Sequence, residues 1–202
     1  WYGMFIIFIP VYMFLFLPMR SVLIGETDGF IKANATIQWS LMLCVFAFSH
    51  IAYLANLDRI HIHAGFTGLV LYLLFVTQFN DVSQYVSGKL FGRHKIIPKV
   101  SPNKTWEGFL GGLLITTILA SLLAPALTIL TWQQGLLAGV IIASSGFIGD
   151  VVLSSVKRDL GIKDSGSLIP GHGGLLDRVD SLMYAIPLFF HYFFYVTKGY
   201  AL

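Results

Sequence analysis

Apolar residues in this chain arrive in blocks of bilayer-spanning length, separated by short stretches that hold nearly all of the charge. The blocks fall at about 1–18, 39–57, 62–80, 108–131, 134–153 and 182–199, each close to the roughly 20 residues a helix needs to cross ~30 Å of hydrocarbon. Phe, Val and Ile are abundant in them and favour strands in water. In hydrocarbon, however, backbone N–H and C=O groups must be satisfied within the protein, so the blocks predict helices. The pattern therefore predicts an all-α fold: a polytopic membrane helical bundle with about six transmembrane helices, forming one domain over 1–202. Pro10, Pro125 and Pro187 fall inside blocks and are expected to kink or break those helices without a chemical role.

Composition agrees. Hydrophobic residues make up 56% and charged residues 11% of the chain, and the mean hydropathy is +0.76; a soluble domain carries about 25% charge. The single cysteine, Cys44, lies in an apolar run and reads as a small hydrophobe, with no disulfide to form. The chain opens on Trp1 without a basic segment and cleavage site, so no signal peptide is read, and whether N-terminal helices precede it stays open.

Charge changes the picture more than composition does. Segment 19–38 holds Arg20 and Lys32, 81–107 holds Lys89, Arg93, Lys95, Lys99 and Lys104, and 154–181 holds Lys157, Arg158, Lys163 and Arg178. With six alternating spans these eleven basic residues share one face, leaving only Arg59 and Lys198 opposite. The positive-inside rule makes that face cytoplasmic and puts both chain ends outside. The net charge of +3 thus reflects topology, and no nucleic-acid partner is expected. Nine of the ten acidic residues, all but Asp58, lie on the same face. A surface of both signs where helices meet water suits a charged, metal-bound, water-soluble substrate meeting a lipid.

On a helix, Asp150, Ser154 and Lys157 are spaced i, i+4, i+7 and share a face. Asp177 and Asp180 stand three residues apart at the entry to the last block, after His172, Gly173 and Gly174. Mg²⁺ takes oxygen ligands and bridges carboxylates to phosphates, so Asp150, Asp177 and Asp180 are candidate ligands of one ion. The alternative for Asp150 is a structural clamp with Lys157 or Arg158. The glycines allow close backbone approach to phosphate, although a tight interhelical loop explains them as well; His172 is either a phosphate or proton donor or a satisfied loop histidine. In the other polar stretch, Lys104 stands beside a helix start at Thr105 or Trp106, placed for an anion. The competing reading there is a solvated basic loop with turn chemistry at Ser101-Pro102-Asn103.

The run Ser154-Ser155-Val156-Lys157-Arg158, then Lys163-Asp164, then Pro170-Gly171-His172-Gly173-Gly174-Leu175-Leu176-Asp177-Arg178-Val179-Asp180 resembles the hallmark of phosphatidate cytidylyltransferases, over 27 consecutive positions. Ser101-Pro102-Asn103-Lys104-Thr105-Trp106-Glu107-Gly108 resembles the same family's second characteristic stretch, and the likeness runs from about Asn80 to the end. The resemblance implies cytoplasmic catalytic loops that make CDP-diacylglycerol and pyrophosphate from CTP and phosphatidic acid in a bacterial-type inner membrane. It implies Mg²⁺, with room for a second, monovalent cation, and leaves a homodimer open. By motif position Asp150, Asp177 and Asp180 would hold metal, with Lys157 beside them in the catalytic set. Lys104, Ser154, Arg158, Lys163, His172, Gly173, Gly174 and Arg178 would bind substrate. Two departures point to a subfamily: Leu153 stands where such enzymes often have Glu, and the block at Asp81 reads Asn-Asp-Val-Ser-Gln-Tyr.

Three rivals remain. A cytidylyltransferase for another lipid phosphate, such as an isoprenoid one, shares every motif, because an apolar acyl pocket records little about its guest. An ion-coupled transporter needs polar groups from several spans near the midplane, whereas here only Ser49, His50 and scattered Ser or Thr lie deep. A CDP-alcohol phosphotransferase would space its carboxylates four apart after an Asp-Gly pair, which Asp177 and Asp180 do not.

Overall fold

The computed structural model describes residues 2–55, 57, 64–166 and 174–198. Six helices are long and apolar enough to cross a membrane: α1 Gly3–Leu23, α2 Phe30–Ala55, α3 Gly65–Phe91, α4 Trp106–Leu127, α5 Trp132–Asp159 and α6 Leu176–Lys198. The all-α bundle expected from the apolar blocks is what forms, and the protein is an integral membrane protein. The helices do not end where the apolar blocks do. α3 runs eleven residues past the block that predicts it, α5 runs six past, and α6 starts six residues early. At 1.5 Å per residue a helix of this length is about 40 Å long, longer than the ~30 Å hydrocarbon slab. Hydropathy marks only the part in lipid, while the helical hydrogen-bond ladder continues into the polar layer until something breaks it. For α3 the break is Gly92, whose ψ of 120° turns the chain into extended backbone.

The core is made by α3 to α6. Tyr72, Leu73 and Val76 of α3 meet Ala120 and Ala124 of α4, Ala138 and Ile142 of α5, and Ile186, Phe189 and Phe193 of α6. Small residues set the spacing, as is common where lipid removes the hydrophobic drive for helix association. A Cβ on Gly139 would lie 2.7 Å from the Thr117 Cα, so α4 and α5 touch backbone to backbone. Interhelical hydrogen bonds add direction: Tyr72 Oη donates to the Ala120 carbonyl at 3.0 Å, and Tyr192 Oη to that of Gln134 at 2.7 Å. Beneath the polar end, Asn80 Oδ1 accepts from Thr116 Oγ1 at 3.3 Å and from Gln84 Nε2 at 3.1 Å, tying α3 to α4. Helices α1 and α2 lie more peripherally and keep most of their apolar surface outward. In α1 a π-helical turn at Phe8–Met13 contains Pro10, and Gln38 of α2 donates to the Ile9 carbonyl at 3.0 Å.

One element departs from the all-α expectation. Between α3 and α4 a small antiparallel hairpin pairs β1 Lys95–Ile97 with β2 Ser101–Thr105. The turn is at 98–100, and Ser101-Pro102-Asn103, read from sequence as turn chemistry, belongs to β2. Proline is tolerated there because each strand of a two-stranded ribbon is an edge. The hairpin is tied at its base and its tip. Glu107 accepts from the backbone N–H groups of Arg93 at 2.9 Å and His94 at 3.1 Å, and it also pairs with His94 Nδ1. At the tip, Arg158 Nε of α5 donates to the Val100 carbonyl at 3.4 Å. Thr105 then caps α4 by accepting from the Gly108 N–H at 3.2 Å.

The Gly139 contact yields a stability test. Gly139→Val is expected to cost about 1–3 kcal/mol by overpacking and to lower the midpoint of thermal unfolding in detergent. Gly3→Val, which meets nothing within 4 Å, is expected to leave the midpoint unchanged.

Candidate active site

α3 and α6 overrun their apolar blocks at the same end, and α5 carries an acid in the last turn of its block there, so three carboxylates meet at one level: Asp81 from α3, Asp150 from α5 and Asp180 from α6. All three are half-buried, and each interacts electrostatically with the other two. Three like charges converge only where something attracts them. Lys104, at the end of β2, forms an ion pair with Asp150 and also acts on Asp81. Lys157, two turns beyond Asp150 on α5, acts on Asp180.

The convergence depends on Gly149. A Cβ there would sit 2.4 Å from the Asp180 carbonyl oxygen, so any side chain would drive α5 from α6 at the level of the carboxylates. Hydrogen bonds then fix orientation. Ser181 Oγ donates to Asp81 Oδ1 at 3.0 Å, joining α6 to α3, and Ser154 Oγ lies 3.4 Å from Asp150 Oδ1 along α5.

Asp177 does something different. Its Oδ1 accepts from Lys157 Nζ at 2.8 Å, while Oδ2 accepts from Ser165 N–H at 2.8 Å, Ser165 Oγ at 3.0 Å and Gly174 N–H at 3.2 Å. Both oxygens are engaged, and the group clamps the start of α6 to the end of α5 and to the segment between them. Asp177, read from sequence as a third member with Asp150 and Asp180, is thus occupied by this clamp. Asp81 stands with Asp150 and Asp180, and the clamp falls on Asp177 rather than Asp150. The Gly174 amide, a candidate phosphate donor, is spent on this clamp. Arg158 is exposed and holds the hairpin tip; Lys163 and Arg178 are exposed at the same polar end. His172 and Gly173 lie outside the described residues.

Beside the carboxylates, a cleft of about 390 Å³ opens between α3, the hairpin and the start of α4. Asp81 and Lys104 line it together with Lys89, Lys95, Asn103 and Thr105, and Tyr85 and Phe109 add aromatic surface. Glycines make room for it: a Cβ on Gly108 would lie 2.9 Å from the Gly88 Cα. Sequence reasoning passed over Asp81, Lys89 and Lys95 as parts of a loop. Continuing the helix through 91 puts Asp81, Gln84 and Gly88 on one face at i, i+3, i+7, the same signal that picks out Asp150.

Among the described residues no group of three His, Cys, Asp or Glu side chains is arranged to enclose a metal ion. The donor set still fits Mg²⁺. That ion binds through one or two carboxylates and completes its octahedron with water and phosphate oxygens, and Asp81, Asp150 and Asp180 offer hard oxygen donors next to cations that would hold the phosphates.

The Asp177 clamp is open to a double-mutant cycle. Both partners' side chains are largely buried, at 16% and 13% exposure for Lys157 and Asp177, and removing one member of such a pair costs about 3–5 kcal/mol. Asp177→Leu alone is expected to lower the unfolding midpoint strongly, and Lys157→Met combined with Asp177→Leu to recover much of the loss. Equal loss in the single and double variants would show that the pair is not coupled.

Comparison with known proteins follows the same lines. The profile described as the cytidylyltransferase family matches residues 1–196. An uncharacterized protein, YnbB, of Escherichia coli (strain K12) is 48% identical over 96% of this chain and 65% of its own length. Phosphatidate cytidylyltransferase of Haemophilus influenzae is 39% identical over 78% of this chain and 60% of its own length. That of Staphylococcus haemolyticus is 44% identical over 59% of this chain and 46% of its own. The chain thus spans less than two thirds of the length of each of these relatives.

Proposed function

Because the chain belongs to the cytidylyltransferase family, we propose that it carries the catalytic part of a membrane nucleotidyltransferase that converts CTP and phosphatidic acid to CDP-diacylglycerol and pyrophosphate. The observation that carries this reading is the meeting of Asp81, Asp150 and Asp180 with Lys104 at the polar end of the bundle. Carboxylates and lysines intermixed beside an open cleft suit the joining of two phosphate-bearing substrates. The phosphatidate cytidylyltransferases among the relatives support the choice of lipid. Eleven of the thirteen basic residues belong to this end by span parity, which supports a cytoplasmic active site.

In this reading the phosphate of phosphatidic acid, already an anion at neutral pH, needs no general base. One of its oxygens attacks the α-phosphorus of CTP; the new P–O bond forms as the bond to the α,β-bridging oxygen breaks, and pyrophosphate leaves. Catalysis is then mostly positioning and charge neutralisation. Asp150 and Asp180 would hold Mg²⁺, with Asp81 alongside, and when bound the ion supplies Lewis-acid neutralisation of phosphate charge. Lys104 orients Asp150 and presents its charge to the nucleotide at the inner end of the cleft. Asp177 keeps Lys157 in place near Asp180, and Lys157 with Ser154 supplies the polar wall on the α5 side. Lys163 and Arg178, exposed at the same polar end, would bind the lipid phosphate.

Purified protein given CTP, phosphatidic acid and Mg²⁺, with EDTA and lipid-free controls, tests the reaction. CDP-diacylglycerol forming only when all three are present is the expected result; product from an isoprenoid phosphate alone would reassign the lipid. Asp180→Asn is expected to lower the transfer rate about a hundredfold or more with an unchanged unfolding midpoint. Retention of most activity at saturating Mg²⁺ would remove Asp180 from the metal site.

A further inference from the structure

Cations on the α5 side of the polar end and those in the cleft differ in how they are held. On the α5 side, Lys157 is paired with Asp177 and Arg158 holds the Val100 carbonyl. In the cleft, Lys89 and Lys95 have no ion-pair partner among the described residues. Lys89 Nζ instead sits 6.0 Å from the centroid of the Tyr85 ring, a contact that leaves its ammonium protons available. Three lysines face a single carboxylate across this cleft, and that carboxylate, Asp81, is a member of the acidic cluster. The charge is therefore polarised along the cleft, negative where it meets Asp150 and Asp180 and positive toward the hairpin. Its volume of about 390 Å³ falls in the range of small-molecule sites. The hairpin at 95–105, which walls one side of the cleft, lies outside every apolar span.

Resting on the reaction proposed above, we propose that this cleft holds the two phosphates that leave: the β- and γ-phosphates of the nucleotide and then free pyrophosphate, with Lys89 and Lys95 as their cations. As the α-phosphorus bonds to the lipid phosphate oxygen, the electron pair of the breaking bond passes to the bridging oxygen. Negative charge grows on the leaving pyrophosphate, and Lys89 and Lys95 neutralise it from β1 and the last turn of α3. Lys104, which reaches both the cleft and Asp150, marks the boundary between the leaving group and the α-phosphorus. The lipid phosphate is thereby assigned to the α5 and α6 side. The nucleotide comes and goes through the hairpin without crossing the lipid's path.

Pyrophosphate itself is the probe. Its binding to the detergent-purified protein is measured by calorimetry with Mg²⁺ present, for wild type, Lys89→Ala, Lys95→Ala, the double variant and Lys99→Ala. Lys99 lies on the hairpin turn outside the cleft and controls for loss of one positive charge. Each cleft variant is expected to bind about tenfold more weakly, and the double variant about a hundredfold, as loss of a charge-assisted hydrogen bond predicts. Lys99→Ala should stay within about twofold of wild type, and Lys→Arg at both cleft positions should restore most of the binding. Unchanged binding in the double variant, an equal loss in Lys99→Ala, or no measurable binding by wild type would each overturn the assignment. The same proteins separate this assignment from the reaction itself. Lysine-dependent pyrophosphate binding without lipid product would leave the cleft standing and remove the reaction, while lipid product with an unchanged KM for CTP in the double variant would do the reverse.

Discussion

The contact between Gly149 and the backbone of Asp180 is what the polar end of this protein depends on. Two helices cannot present carboxylates to one another across a short gap unless their backbones approach closely, and a Cβ at 149 would fall 2.4 Å from the Asp180 carbonyl. With that approach made, Asp150 and Asp180 share one electrostatic neighbourhood, Ser181 reaches Asp81 on α3, and the cations have something to neutralise. The acidic cluster is thus a consequence of helix packing in the membrane. Small residues such as Gly149 set how closely these helices pack, and the packing in turn determines where the charges meet.

The division of labour among the carboxylates follows from how their oxygens are occupied. Asp177 is saturated by one ammonium and three other donors, whereas Asp81, Asp150 and Asp180 face each other and depend on cations for compensation. A carboxylate with both oxygens engaged by donors is a structural part, and one held against like charge is a place where a counterion is wanted.

Much of this was legible in the chain. The apolar blocks identified six helices, and the i, i+4, i+7 stripe of Asp150, Ser154 and Lys157 survives as a real helical face. Helix ends were not legible, because hydropathy measures the lipid-facing length and says nothing of a ladder that continues into water. That one gap hid Asp81, which looked like the first residue of a loop and is in fact nearly three turns from the end of α3. The pairing of Lys104 with Asp150 and of Lys157 with Asp177 was likewise out of reach, since either lysine could have served either aspartate on sequence spacing alone. The hairpin was missed because Ser-Pro-Asn is ordinary turn chemistry, and only the registry of Lys95 with Thr105 makes it a strand.

The hairpin has a consequence of another kind. It contributes Lys95, Asn103 and Lys104 to the cleft, and it is joined to the rest through Glu107 and Arg158 at its two ends and through the Lys104–Asp150 ion pair. The carboxylates, by contrast, are built into helices whose packing fixes them. A short ribbon thus sits over a packed membrane frame, with Lys104 as its anchor to the acidic cluster. Changes at Lys95 or Asn103 can retune what enters the cleft without disturbing the bundle, because neither residue belongs to a spanning helix.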